Sequence, residues 1–520
     1  MLRRSNKLAQ TSTAPTVESR FNGPWPLNLE LLHLSSKDAW TLRDACESVL
    51  ILGQTGGGKS SGPFQLITRS LLRWGCGGLF LCAKPSARDE YVELARREGR
   101  EADVVIVSTK KGEETGYNFL SHEIKRQKHS VSVDSIAAVF MQAHEVTGRS
   151  FNERDPFWDN AARQLMRNCL EVVINAGLDE QGEPQEIRLE TIAAIISTLP
   201  QSSSDVRMPE GLEAMEQLRM AQSKVAPERE KDLELAAVYF ETTWPRLAER
   251  TRSSIAQVLT VLLDRFMRTP LRPLLLEKTD CTPQDVLDGK LVIVDVPINE
   301  TPDLGKIVGV VWKLAVQRAI LSRTLPQGPA DGVRPVFIAA DEGQYWLTDY
   351  DANFQQTSRS ARGITVFATQ NLPNLYAELS GSPSGMARVK SFLGNLQTRL
   401  ACRNTDPETN LYLAESIGQK IVQRQSRSFR GLLGWPEGQT VSEQVDFDVR
   451  PRKFTTLRTG GEKNDFMVEA LVTRGGERFK ANNGARWMVA SFDQKCRQDD
   501  WKSRLLTGDR VRITARKERE

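Results

Sequence analysis

The stretch SVLILGQTGGGKSSG, residues 48–62, decides the fold. A short apolar run, Val49 to Leu52, stops at three consecutive glycines, a lysine and two serines. Glycines this dense suit neither helix nor strand interior. They suit a backbone that must adopt positive φ and approach a ligand closely. The match to G-x-x-x-x-G-K-[ST] is complete: Gly53, Gln54, Thr55, Gly56, Gly57, Gly58, Lys59 and Ser60. Inward-pointing amides of such a loop and the N-terminus of the following helix cradle phosphates. Lys59 is placed to reach the β- and γ-phosphates, Ser60 to hold Mg²⁺, and Ser61 to join the phosphate contacts. A nucleoside triphosphate, ATP, is the expected ligand.

Working outward, a strand–loop–helix start implies an α/β fold with a mainly parallel sheet. GGLFLCAK and ADVVIVS read as the next two buried strands, with SARDEYVELARREG as a helix between them. The rhythm stops near residue 119 and resumes at KLVIVDVP, 290–297. RPVFIAADE (334–342), GITVFATQN (363–371) and LQTRLACR (396–403) follow, with helices expected near 304–322 and 350–361. Between the two halves the pattern is helical. Ala162, Leu165, Met166, Cys169, Leu170 and Val173 share one face, as do Ile255, Val258, Leu259, Leu262 and Phe266. The polar segment around 200–232 reads as a surface excursion.

The expected organisation is a loose tail over 1–22 and the first half of a nucleotide-binding domain over 23–118. An inserted all-α domain over 119–270 and the second half over 271–425 follow. A C-terminal appendage with short strands, such as FMVEALVTRG and RWMVASF, takes 426–520.

Composition excludes several classes. The 520 residues exceed one compact domain, and 39% hydrophobic with 26% charged residues describes an ordinary globular chain. A net charge of +4 does not by itself argue for nucleic acid, so any basic surface must be local. The seven cysteines, Cys46, Cys76, Cys82, Cys169, Cys281, Cys402 and Cys496, lack C-x-x-C spacing. They read as structural thiols of a reducing compartment, with neither a disulfide frame nor a zinc site. His33, His122, His129 and His144 form no ligand pattern. No apolar stretch is long enough to span a bilayer, and the start lacks the apolar core of a signal peptide. A cytoplasmic protein, or one held peripherally at the inner membrane by partners, is expected.

A phosphate loop needs an acidic partner for the metal at the end of a buried strand. Asp295 ends LVIVD and Asp341 ends VFIAAD, where Glu342 follows at once. Only the second pair offers both a metal ligand and a carboxylate to activate water, and it is preferred; Asp295 is then a strand-end aspartate. Gln370 ends the next strand, where its amide would emerge beside the phosphates and sense the γ-phosphate. Ser60 and Asp341 are 281 residues apart, and the inserted helices fill that gap.

These motifs together resemble the TraG/TraD coupling-protein ATPases of type IV secretion and conjugation, within the wider FtsK–HerA class of DNA translocases. The resemblance rests on DACESVLILGQTGGGKSSG, YNFLSH, FWDNAARQLM, RSSIAQVL and VFIAADEGQYW. It extends through ARGITVFATQNLPNLYAEL to VKSFLGNLQTRLACRNTDPETNLYLAESIG. It implies a RecA-like ATPase self-associated into a ring, a hexamer, with single- or double-stranded DNA passing through without sequence preference. An arginine from the neighbouring subunit would touch the γ-phosphate, and Arg359, Arg362 and Arg399 lie in the matching region. Secretion-channel or relaxosome proteins are the implied partners. Members usually carry N-terminal membrane helices, which this sequence does not show. Where the family has a DPKG-like element this chain has Cys82, Ala83, Lys84 and Pro85, so Lys84 is given no catalytic role.

The expected activity is therefore ATP-driven movement of DNA or a nucleoprotein. The alternatives are a HerA-like motor in DNA processing or defence, and a nucleotide-switched substrate receptor with little DNA-dependent hydrolysis. The run KIVQRQSRSFR, with Lys420, Arg424, Arg427 and Arg430 and no acid, suits either phosphate contacts or a solvated loop.

Overall fold

The computed structural model describes residues 21–495, apart from 128–131, 148–155, 183, 184, 186, 209, 327, 329, 380–382 and 431–434. The expected tail over 1–22 therefore lies almost wholly outside the described residues, as do His129 and Cys496.

Thirteen strands are described: β1 (Glu30–His33), β2 (Ala39–Thr41), β3 (Val49–Leu52), β4 (Gly77–Leu81), β5 (Val104–Ser108), β6 (Leu291–Asp295) and β7 (Val336–Asp341). They continue as β8 (Gly363–Thr369), β9 (Thr398–Ala401), β10 (Gln419–Arg430), β11 (Trp435–Phe447), β12 (Met467–Arg474) and β13 (Trp487–Asp493). Nine form one sheet in the order β13-β12-β9-β3-β8-β7-β4-β6-β5. The seven strands from β9 to β5 run parallel. This is the expected α/β architecture with a mainly parallel central sheet, on which the phosphate loop leaves β3 beside its neighbours β8 and β9.

Strands covered on both faces need apolar residues at every position. β3, β4, β6 and β8 are buried throughout. Alternate residues serve opposite faces. Val49 and Ile51 join the core under the phosphate-loop helix with Phe64, Ile67 and Tyr91, whereas Leu50 and Leu52 join Phe367, Leu372 and Phe392 on the other side.

Between β5 and β6 the described residues are helical, from Phe119–Gln127 to Glu249–Met267. The stripe read on residues 162–173 is buried, and Phe119, Phe140 and Phe266 meet with ring centroids 5.1 to 6.0 Å apart. The polar segment near 200–232 differs from its reading as an excursion. It holds a helix, Glu213–Lys224, whose Ala214, Met215, Leu218 and Ala221 are buried. Apolar residues at helical spacing carry this packing beneath a charged outer face.

The C-terminal region does two separate things. β12 and β13 are the short strands expected there, and they extend the central sheet: β12 pairs antiparallel with β9, and β13 with β12. β10 and β11 instead pair only with each other, as a two-stranded hairpin. Ile421, Val441 and Val445 on it are exposed, as are Lys420 and Arg424 of the basic run. The side chains of Arg427 and Arg430 lie outside the described residues.

The six described cysteines are unpaired and buried. Burial pushes the Cys46, Cys76 and Cys402 thiols up to about 12, so they stay protonated and unreactive. Among the described residues no helix is long and apolar enough to cross a membrane, and no cluster of His, Cys, Asp and Glu has metal-binding geometry.

Candidate functional site

The loop between β3 and its helix is closed on itself and pinned to the segment just after β9. The Gly57 N–H donates to the Gln54 carbonyl at 2.8 Å, and the Gln54 N–H to the Arg403 carbonyl at 3.0 Å. Gly56 and Gly58 have φ of 73° and 84°, the left-handed region that glycine enters without strain. The helix expected over 60–73 opens with a wide π-type turn, Ser60–Phe64, containing Pro63, and continues as an α-helix over Gln65–Arg73. Widened turns recur at functional sites.

Parallel strands deliver the remaining groups to the same sheet edge. Lys59 Nζ lies 2.6 Å from Glu342 Oε1 and 3.5 Å from Asp341 Oδ1. The Ser60 hydroxyl donates to Asp341 Oδ2 at 2.5 Å. The Gln370 side-chain amide donates to Glu342 Oε1 at 3.3 Å, while the Gln370 backbone carbonyl accepts from the Asn404 side-chain amide. Burial works against the charge on Glu342. The Lys59 ammonium, with hydrogen bonds from Lys59, Gln344 and Gln370, outweighs it and holds the carboxyl below its usual value. Burial likewise opposes the Lys59 charge, and Asp341 and Glu342 more than restore it, raising its pKa.

Glu342 has a φ of 64°, which a non-glycine residue adopts at a cost of about 1–3 kcal/mol. Gly343 beside it permits the bend, because a Cβ there would fall 2.5 Å from the Phe367 ring. Gln344 is a residue that the sequence reading did not single out. Its amide donates to Glu342 Oε2 at 3.1 Å, so the carboxylate is held from three directions. Two residues after an acidic pair, a glutamine carries no signal of its own.

Asp341 Oδ1 is buried and has no hydrogen-bond partner, although Lys59 stands near it. An orphaned carboxylate oxygen beside a hydroxyl is the oxygen-rich donor set that Mg²⁺ takes. The residues present therefore fit that ion. Gln54 and Thr55 line the same cleft of about 640 Å³, as do Gly56, Gly58, Lys59, Ser60, Ser61, Asp341, Glu342 and Gln370. Gly53 lies against Cys402 at the base of the loop. The cleft continues between the helix Gln65–Arg73 and a second helix, Ala87–Arg97, past Lys84 and Tyr91.

Asp295 stands elsewhere. It is buried on β6, with Arg88 and Lys110 each at 3.2 Å. The three arginines are also away from the loop. Arg359 pairs with Glu47 and is 58% exposed, and Arg362 is buried near Asp331. Arg399 donates to the Leu393 and Leu396 carbonyls and lies over the Tyr412 ring.

No protein-family model matches the chain, and no protein of curated function does. Solved structures do match. The bacterial conjugative coupling protein TrwBdeltaN70, in a trigonal form with sulphate, is 16% identical with a TM-score of 0.56, covering 88% of each chain. The plasmid coupling protein TrwB with ADP and Mg²⁺ is 16% identical with a TM-score of 0.53, covering 88% of this chain and 86% of that one. TrwB with a non-hydrolysable ATP analogue gives 16% and 0.53, over 87% and 86%. At this identity the likeness shows a shared fold.

Proposed function

We propose that the chain is an ATPase motor of the coupling-protein type, which binds ATP with Mg²⁺ and uses hydrolysis to move DNA or a nucleoprotein. One observation carries the nucleotide part of this reading. Lys59 and Ser60 on the loop meet Asp341 at the end of β7 and Glu342 just after it, across 281 to 283 residues of chain, within hydrogen-bonding distance. Structures of TrwB, which shares the fold, hold ADP with Mg²⁺ and an ATP analogue.

In this reading the amides of Gly56 to Gly58 and the Lys59 ammonium hold the phosphates, as oriented donors aimed at developing charge. Ser60 and Asp341 would hold Mg²⁺, which neutralises charge on the β- and γ-phosphates when bound. Glu342 takes a proton from the attacking water once nucleotide has drawn Lys59 away from it. Gln370 lies beside Glu342 and reports the γ-phosphate, and Gln344 keeps the carboxylate in place. Self-association into a ring, a hexamer, would bring in a neighbour's arginine. Arg359 suits that task best, being exposed where Arg362 is buried and Arg399 is bound to carbonyls. The basic strand from Lys420 would meet the DNA backbone. Secretion-channel or relaxosome proteins would be the partners.

The test is ATP hydrolysis by purified protein with and without single- and double-stranded DNA, with Glu342→Gln as control. Stimulation by DNA that the substitution abolishes supports the motor. Hydrolysis indifferent to DNA moves the reading to a nucleotide-switched receptor.

A further inference from the structure

β12 and β13 do more than lengthen the sheet, because they lie against the phosphate loop. Val468 on β12 is fully buried, and a Cβ on Gly58 would fall 2.6 Å from its Cγ2 and one on Gly62 3.1 Å from it. The Thr459 carbonyl is 2.9 Å from the same point on Gly58. The loop is thus seated on the C-terminal strand pair, and no side chain fits between them.

Directly after β13, Gln494 reaches the loop with a defined polarity. Its Oε1 accepts the Gly461 N–H at 2.8 Å, so its Nε2 must face the other way. Nε2 donates to the Ser61 Oγ at 2.6 Å. A serine hydroxyl has one proton to give and two lone pairs to receive. Gln494 occupies a lone pair, which leaves the Ser61 proton free. Ser61 is exposed in the first turn of the helix that follows the loop and lines the cleft. Amides at such a helix start face bound phosphate.

We infer that Gln494 is a positioning residue for the nucleotide site: its amide turns the Ser61 hydroxyl so that its proton is donated to a phosphate oxygen of the bound nucleotide. This gives the C-terminal strand pair a part in ligand binding, and it rests on the nucleotide reading above. The contact carries direction. A carboxylate at position 494 keeps the acceptor for Gly461 but takes the Ser61 proton for itself and adds negative charge near the phosphates.

The experiment is a double-mutant cycle read by binding of fluorescently labelled ADP with Mg²⁺. The proteins are wild type, Gln494→Ala, Gln494→Glu, Ser61→Ala and the two combinations. A hydrogen bond to a charged phosphate supports an expected loss of about tenfold for Gln494→Ala and a larger loss for Gln494→Glu. In the Ser61→Ala background the Gln494→Ala loss should shrink to within about twofold. Melting midpoints without nucleotide should move little, which separates positioning from folding. Wild-type affinity in both Gln494 variants overturns the inference, and so does an equal loss with and without Ser61. Failure of the wild type itself to bind labelled ADP would instead overturn the nucleotide reading, and this inference with it.

Discussion

Lys59 and Glu342 form a buried ion pair at 2.6 Å, each side chain 6% exposed, between the phosphate loop and the strand that faces it. On the proposed reading, the group that would bind phosphate and the group that would activate water neutralise each other. A ligand phosphate would have to compete with Glu342 for Lys59, and in winning it would free the carboxylate. Binding and activation of the base would then be one event. Breaking such a pair from one side leaves an uncompensated charge, which costs more than the pair itself is worth.

Glu342→Gln should therefore separate the two roles. Hydrolysis should fall by roughly 10²- to 10⁴-fold, as expected on loss of a general base. Affinity for ATP should be retained or increased, because Lys59 no longer has a charged competitor. Single-turnover phosphate release and equilibrium binding on the same preparation would check this; loss of both together would instead indicate a damaged site.

The same pair sets a pH dependence. The folded-state pKa of Glu342 lies below its ordinary 4.5, so its contribution to stability is present above that value and is lost as pH falls through the lowered one. Lys59 shifts upward from 10.5, so its contribution is present below that value and is lost only as pH rises through the higher one. Urea denaturation at neutral pH and at successively more acid pH should show wild type and Glu342→Gln converging on the acid side. A constant difference between them would contradict the linkage.

The glycines of the loop should not be equivalent. Gly56 has a positive φ and open space around its missing Cβ, so Gly56→Ala should cost only conformational strain, about 1 kcal/mol. Gly58 has a positive φ and Val468 2.6 Å away. Gly58→Ala should cost about 3 kcal/mol or more, since overpacking adds to strain. Denaturant midpoints of the two variants decide the order.

Gln344→Leu should loosen Glu342 without touching nucleotide. The expected result is a fall in kcat of about tenfold with KM nearly unchanged, as for an interaction used in the transition state alone. A change confined to KM would place Gln344 in ground-state binding.

Arg359→Ala should lower hydrolysis on the order of 10³-fold while leaving ATP affinity intact, if it is the arginine supplied by a neighbour. Mixing it with Glu342→Gln subunits should restore activity, because each variant supplies what the other lacks. No recovery on mixing, with Arg359→Ala as active as wild type, would remove Arg359 from the site.

Much of this molecule was legible in the sequence because its informative contacts are local or periodic. The phosphate loop, the Asp341–Glu342 pair and the strand preceding each show themselves within ten residues. Gln344 did not, since its role depends on a left-handed turn at Glu342 that aims the amide back at the carboxylate. The helix at Glu213–Lys224 hid behind its charged face. Least legible was the antiparallel pairing of β12 with β9, because alternation in FMVEALVTRG announces a strand but not the strand it will join. Val468 and Gln494 became part of the site only through that pairing.

The dependence of the phosphate loop on β12 and β13 has a consequence for synthesis. A nascent chain that has emerged through Gln370 already holds every residue of the loop and of β7. Val468 is still missing beneath Gly58, and Gln494 from Ser61. Domains emerging from the ribosome fold as units, N-terminal parts first. Here the loop after β3 waits for β12 and β13, far along the chain, so a ribosome-bound or prematurely terminated chain that stops before them would carry the motif without the strand pair that seats it.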